Sequence, residues 1–219
     1  MLVRDCMTRH PILITPGTQA AEAQRVLSEN NIRHLPVVGD GKKLKGLITR
    51  QRLQLEPDVM SSLDVWEITR YLSSLTVQKM MVPRAEVVTA VEDRTVERAA
   101  RTMAEHKIGC MPVVDGDDVV VGIISEVDLL RAFQEMLGLP AAGVRVTMRM
   151  PHRPGEFNRL MSALAEQGWG VMGIGTFPSP RKENHYDAVI KIPKVSMEEV
   201  RGALSQVPDQ EIVDIRDVV

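Results

Sequence analysis

Apolar positions in the first part of the chain fall into two blocks with the same internal order. Ile12-Leu13-Ile14 opens the first as an apolar strand start, and Val88-Thr89-Ala90 opens the second. Turns follow, rich in Pro, Gly and acidic residues, at Thr15-Pro16-Gly17 and Glu92-Asp93. Ala20, Ala23 and Leu27 then recur at i, i+3, i+7, and Val96, Ala99, Ala100 and Met103 at i, i+3, i+4, i+7. That spacing predicts one buried helix face in each block. Next come paired β-branched runs, Leu35 to Val38 and Leu44 to Ile48 around Gly39-Asp40-Gly41, and Met111 to Ile124 around Asp115-Gly116-Asp117. Both read as hairpins. A second helix closes each block, most clearly at Val127 to Leu137. Each block is therefore predicted as β-α-β-β-α.

The blocks are copies of one unit. Ile32 to Val38 returns as Ile108 to Val114, and Gly46-Leu47-Ile48-Thr49 returns as Gly122-Ile123-Ile124-Ser125, both at an offset of 76 positions. A unit of about 60 residues is too small to bury a sizeable core alone, so the copies are expected to pack on each other. Between them, Leu63, Trp66, Leu72 and Leu75 follow Pro57 in a helix-like pattern. From Gly143 the pattern changes. Val144 to Met148 alternates as a strand, and a helix with Leu160, Met161 and Leu164 on one face ends at Gly168. Strands at 171–177 and 186–192, a helix at 195–204 and a last strand at 212–215 complete a β-α-β-β-α-β order. The expected fold class is α/β (α+β), two β-α-β-β-α repeats packed as a pair and then a ferredoxin-like domain. The expected boundaries are 1–58, a connecting helix 59–75, 76–138, and 144–219.

Composition narrows the function. Lys+Arg number 27 against 29 Asp+Glu, a net charge of -2, with no basic run to meet duplex nucleic acid. Aromatics at 3% offer little platform for base stacking. No stretch approaches the roughly 18 to 20 apolar residues of a membrane helix, and Met1 to Cys6 carries no apolar signal region. Cys6 and Cys110 form no framework or ligand pair. The expectation is a reduced, soluble, cytoplasmic protein without nucleic-acid or membrane partners.

The I-x-x-h-P-V-V segments at Ile32 and Ile108, with the G-h-h-[ST] segments at Gly46 and Gly122, resemble the CBS domain. A tandem pair of these is called a Bateman module. Arg153-Pro154-Gly155-Glu156-Phe157, at the first strand-helix junction of the last block, resembles an ACT domain. The whole order is similar to the acetoin-utilisation B family, chiefly through Ile32 to Val38, His106 to Val114 and Asp128-Leu129-Leu130-Arg131. The resemblance implies an adenosine nucleotide (AMP, ADP, ATP or a related adenosyl compound) in the cleft between the copies, and no required cofactor. In copy two it implies Val88, Thr89, Ile108, Gly109, Cys110, Met111 and Pro112 around the base, with Ser125 and Asp128 reaching ribose and phosphate. In copy one it implies Thr8, Ile12, Ile32, Arg33, His34, Leu35, Pro36, Thr49 and Arg52.

Two readings of several residues stay open. Ser125-Glu126-Val127-Asp128 is also a helix capping box. Arg52 stands where Asp128 stands in copy two, and a donor-only guanidinium cannot accept from a ribose. It either pairs with a phosphate or is a solvated arginine. His34, His106 and Cys110 lack ligand spacing and a partnered base, so packing beside a base is the reading kept for them. The thirteen methionines read mostly as core filler. Arg153, Pro154, Gly155, Glu156 and Phe157 suit a helix start that holds an amino acid carboxylate, or a plain β-α turn. The expected function is a non-enzymatic homodimeric sensor. The alternatives are a CBS–ACT dimerisation scaffold and a small enzyme using His34 or Cys110.

Overall fold

The computed structural model describes residues 1–53, 75–139 and 141–218. These form two compact units, Met1–Leu129 and Leu130–Val219. The expected connecting helix at 59–75 lies, apart from Leu75, outside the described residues.

The first unit runs α1 (Val3–Cys6), β1 (Thr8–Arg9), α2 (Ala20–Glu29), β2 (His34–Val38), β3 (Leu44–Thr49), α3 (Val77–Met80), β4 (Val82–Pro83), α4 (Val96–His106), β5 (Cys110–Val114), β6 (Val120–Ser125) and the start of α5 (Glu126–Met136). The helix faces are those the spacing predicts: Ala20, Ala23 and Leu27 of α2 are buried, as are Val96, Ala99 and Met103 of α4. Thr95 caps α4 by accepting from Arg98 N at 3.3 Å. The hairpins β2–β3 and β5–β6 close in equivalent registers, Leu35 against Ile48 and Met111 against Ile124.

Ile12–Ile14 and Val88–Ala90 are not full strands. Each makes a single parallel bridge, Ile14 to Val37 and Ala90 to Val113. The third strand of each sheet comes instead from the other copy. β1 pairs with β6, and β4 pairs with β3. Gly46 and Gly122 make this exchange possible. A Cβ at Gly46 would stand 2.5 Å from Val82 O, and one at Gly122 would stand 3.1 Å from Thr8 O, both backbone atoms of the exchanged strands. The exchanged segments are offset differently from the rest: Met7 and Met81 are 74 apart, whereas Ile12 and Val88 are 76 apart. The 3-10 turn Arg84–Glu86 lies in the longer stretch.

Copy one has its own core of Ala23, Leu27, Leu35, Val37 and Ile48, all at most 1% exposed. A second cluster joins Val38, Leu44 and Leu47 of copy one to Val87, Cys110, Val114 and Val120 of copy two. Fully burying one such Val or Leu side chain is worth about 1.5–3 kcal/mol. The copies do pack on each other, because neither hairpin covers its second face alone.

The second unit runs β7 (Gly143–Pro151), α6 (Glu156–Glu166), β8 (Gly173–Pro178), β9 (His185–Ile192), α7 (Met197–Leu204) and β10 (Glu211–Val218). Its antiparallel sheet has the order β10-β7-β9-β8, with the first and third strands at the centre. Val144, Val146, Met148 and Met150 of β7 and Ala188, Ile190 and Ile192 of β9 form one face. Leu160, Leu164, Val200 and Leu204 of the two helices share that core. This is the β-α-β-β-α-β order that the alternation predicts. Among the described residues, no helix is long and apolar enough to cross a membrane.

Candidate functional site

In the first unit a cavity of about 430 Å³ lies between the copies. Its apolar wall is Leu47 of β3 with Val82, Val87, Val88 and Ile108 of copy two. Its polar part holds Thr49, Arg33, Arg50, Lys107, Glu86 and Glu126, with His34, Gly109 and Cys110 between. Equivalent backbone bonds set the two sides. Arg50 N donates to Arg33 O at 2.9 Å, and Glu126 N donates to Gly109 O at 3.0 Å. These tie the residue after each hairpin to the segment before it, so the side chains at 50 and 126 both border the cleft. Arg33 has a glycine as its repeat mate, and His34 packs beside it: a Cβ at Gly109 would lie in ordinary contact, 3.6 Å from His34 Cε1.

Burial lowers the His34 pKa, with the Arg33 charge acting the same way and Glu126 opposing, so the imidazole is neutral near pH 7. Burial, then the nearby Glu126 carboxylate, pushes the Cys110 thiol up to about 12. The thiolate is the nucleophilic form, and it is not available at physiological pH. Among the described residues, no three His, Cys, Asp or Glu side chains are grouped to hold a metal ion.

The cavity regroups the residues expected from the sequence. Val88, Ile108, Gly109 and Cys110 line it together with Arg33, His34 and Thr49, so it draws on both copies. Ser125 and Asp128, expected beside Ile108 to Cys110, are not in its lining. The reason is the fold: Cys110 pairs with Ser125 across β5–β6, but it is Thr49 on β3 that reaches the same cavity. Ser125 and Asp128 form the capping box at the start of α5. Asp128 Oδ2 accepts from Ser125 N at 2.8 Å and from Ser125 Oγ at 2.6 Å, and Asp128 N donates to Ser125 Oγ at 3.4 Å. Thr89, Met111 and Pro112 also lie outside the lining, as do Thr8, Ile12, Ile32, Leu35, Pro36 and Arg52. Pro36 and Pro112 sit within β2 and β5, where their carbonyls accept from Ile14 N and Ala90 N at 3.2 and 3.0 Å. Arg52 is exposed on a 3-10 turn, its N–H donating to Thr49 Oγ1 at 3.3 Å. The sequence reading missed the polar residues Arg50, Gln51, Glu86, Lys107 and Glu126 and the apolar Leu47, Val82 and Val87. The signal for two of them was present, since 50 and 126 are repeat mates that follow Thr49 and Ser125.

In the second unit Arg153, Glu156 and Phe157 line a depression of about 170 Å³ with His152, Thr176 and Tyr186. The His152 and Tyr186 rings lie 4.6 Å apart. Gly155 precedes α6 at φ 91°, a left-handed conformation that favours glycine. The Glu156 carboxylate is buried and already engaged. It accepts from Arg153 Nε at 2.6 Å, Arg159 Nη1 at 3.1 Å and Gln210 Nε2 at 3.2 Å. The Arg153 bond is the largest cause of its lowered pKa. Arg153 also donates to Asp209 at 2.6 Å. The guanidinium that would meet a ligand carboxylate is thus held by two carboxylates of the chain itself.

The CBS domain profile matches residues 3–55 and 77–135. Among solved structures, the CBS domain pair of protein MJ0100, in complex with 5′-methylthioadenosine and S-adenosyl-L-methionine, is 31% identical. It covers 61% of this chain and 95% of that one, with a TM-score of 0.50. A proposed acetoin utilization protein from Vibrio cholerae is 29% identical over 64% of this chain and 94% of that one, TM-score 0.53. CBSX2, a CBS-pair protein from Arabidopsis thaliana solved with AMP, is 25% identical over 60% of this chain and 95% of that one, TM-score 0.50. The curated relatives are longer: at 33% and 31% identity, the matches span only 23% and 24% of their length. The matched residues are those that build both hairpins, the exchanged strands and the cavity between them, and the chain belongs to the CBS domain family.

Proposed function

We propose that this chain is a non-enzymatic regulatory protein that binds an adenosine nucleotide or related adenosyl compound in the cleft between its CBS copies. One observation carries the reading: a cavity of about 430 Å³ at the junction of the repeats, with an apolar wall and a polar side that holds three cations and two carboxylates. That volume falls in the usual range of about 300–1,000 Å³ for small-molecule sites. Leu47, Val82, Val87, Val88 and Ile108 provide a surface for a purine, Thr49 a hydroxyl for the ribose, and Arg50 and Lys107 charges for a phosphate. CBS pairs are generally regulatory, and the neighbours solved with S-adenosyl-L-methionine, methylthioadenosine and AMP support the ligand class. The raised thiol pKa of Cys110 speaks against the enzymatic alternative.

The repeat carries Val88, Ile108–Cys110 and Thr49 onto Ile12, Ile32–His34 and Ser125. A second, pseudo-twofold-related site would therefore use Ser125 with copy-one residues, and Asp128, bonded to Ser125 Oγ, is proposed to join it there. The proposed domains are 1–58 and 76–138 for the CBS copies, joined by 59–75, and 144–219 for an ACT-like domain. The strand order of the second unit supports the last assignment, with small-molecule (amino acid) binding or dimerisation as its role. A cytoplasmic setting and a link to acetoin utilisation belong to the same proposal, the latter supported by the Vibrio cholerae neighbour. Regulation follows from the ligand binding two arrangements of the protein with different affinity.

The test is a thermal-shift and calorimetry panel of AMP, ADP, ATP, S-adenosyl-L-methionine, 5′-methylthioadenosine and amino acids. A ligand at 100 times its Kd stabilises the folded state by about 2.7 kcal/mol. At least one adenosine compound is expected to raise the midpoint. A dimer that responds to none of them would leave the scaffold reading.

A further inference from the structure

The ion pair Arg33–Glu126 joins the two copies at the cavity, 3.6 Å apart, with side chains 60% and 56% exposed. It exists because the repeat is broken at two positions. Arg33 has Gly109 as its mate, and Arg50 has Glu126, a reversal of charge. The Glu126 carboxyl carbon lies 3.7 Å from where a Gly109 Cβ would stand, so the carboxylate sits in contact distance of that position, beside His34. Among the described residues, Glu126 is the only ion-pair partner of the Arg33 side chain. Arg50 donates to Ile32 O at 3.2 Å. The cavity thus carries an internal anion on one of its cations.

We infer that Glu126 is a specificity-determining residue of the cleft, holding Arg33 until a ligand phosphate displaces it. This rests on the nucleotide reading above and adds to it the selection among adenosine ligands by charge. A neutral adenosyl ligand leaves the pair intact. A phosphate that uses Arg33 must break it and lie near the released carboxylate. The cleft therefore favours phosphate-bearing ligands less than its three cations, Arg33, Arg50 and Lys107, would by themselves. Exposed pairs of this kind contribute modestly, which sets the expected effect at about two- to fivefold in affinity.

The experiment measures adenosine and AMP by calorimetry on the full chain, for wild type, Glu126→Gln, Arg33→Gln and the double variant. Glu126→Gln is expected to raise the ratio of AMP to adenosine affinity about two- to fivefold, less so at high salt, where screening shortens the reach of the charge. Arg33→Gln is expected to lower that ratio and to remove most of the gain from Glu126→Gln. Glu126→Ala, which also deletes the charge, should act in the same direction and guards against a poorly folding glutamine variant. Failure of both adenosine and AMP to bind the wild type would overturn the nucleotide reading and this inference with it. Binding of both, with a ratio unmoved by either Glu126 variant, would overturn this inference alone. A gain that persists undiminished without Arg33 would overturn the competition for Arg33.

Discussion

Asp128→Asn separates helix capping from ligand contact. In the structure a single carboxylate oxygen, Oδ2, accepts both bonds of the cap, from Ser125 N at 2.8 Å and Ser125 Oγ at 2.6 Å. Among the described residues, Oδ1 accepts none. Asparagine can turn its one oxygen toward the two Ser125 donors and place its amide where Oδ1 stood. The cap loses its charge but keeps its acceptor, at a cost of about 0.5 kcal/mol, whereas Asp128→Ala removes the acceptor and costs about 1–2 kcal/mol. With about 4 °C per kcal/mol for a unit of this size, the apo melting point should fall by about 2 °C for Asn and about 4–8 °C for Ala. A ribose hydroxyl that donates to Oδ1 meets a donor in the Asn variant. Hydrogen bonds to a charged group are worth about 1.5–3 kcal/mol, so ATP affinity at the pseudo-twofold-related site should drop about tenfold or more. Discrimination against 2′-deoxy-ATP should shrink with it. The assay pairs apo calorimetric melting with titration of ATP and 2′-deoxy-ATP for wild type and both variants. If the melting points fall as stated while ATP affinity and deoxy discrimination stay at wild-type values, Asp128 is a cap only and the ribose placement is wrong.

Further expectations concern the assembly, the second unit and Cys110. The chain should be a homodimer, with a light-scattering mass twice 24.4 kDa. Edge strand β8 lacks charged residues and exposes Ile174 and Phe177, unlike the charged edge β10, so Ile174→Lys should shift the mass toward the monomer; a monomeric wild type at micromolar concentration would contradict this. Glu156→Gln should lower the second unit's unfolding transition by several degrees, because charge-assisted bonds to a buried carboxylate become neutral ones. The Glu156 pKa lies below its ordinary 4.5 in the folded protein, so its contribution is complete above that value and is lost as pH falls through the folded-state pKa. A variant whose stability rises relative to wild type with increasing pH across that range would show the wrong sign. Cys110, with its thiol raised to about 12, should resist iodoacetamide at pH 8 until denaturant is added; peptide mass spectrometry showing rapid native labelling would refute its burial.

Local order was legible in the sequence wherever a short period reports burial. Ala20, Ala23 and Leu27 announced the buried face of α2, and the alternation from Val144 to Met148 announced the core face of β7, since in both cases the facing direction is set within one helix turn or one strand pleat. The repeat also predicted that the copies pack together, because neither block could bury its hydrophobic surface alone. Partner choice was not legible. Thr8–Arg9 and Val82–Pro83 are two residues long and carry no period, so nothing local says that each completes the other copy's sheet. The exchange is decided by where the chain can lie against Gly46 and Gly122, which is a contact between segments distant in sequence. The same holds for the site. Motif reading kept Ser125 and Asp128 with Ile108 to Cys110 because they share a repeat, but the cavity brings Thr49 there from the other copy. Glu156 stood in the sequence as part of a helix start that holds an amino acid carboxylate or is a plain β-α turn. Only tertiary packing, which sets Arg153, Arg159 and Gln210 around it, made its carboxylate a buried and saturated part of the fold.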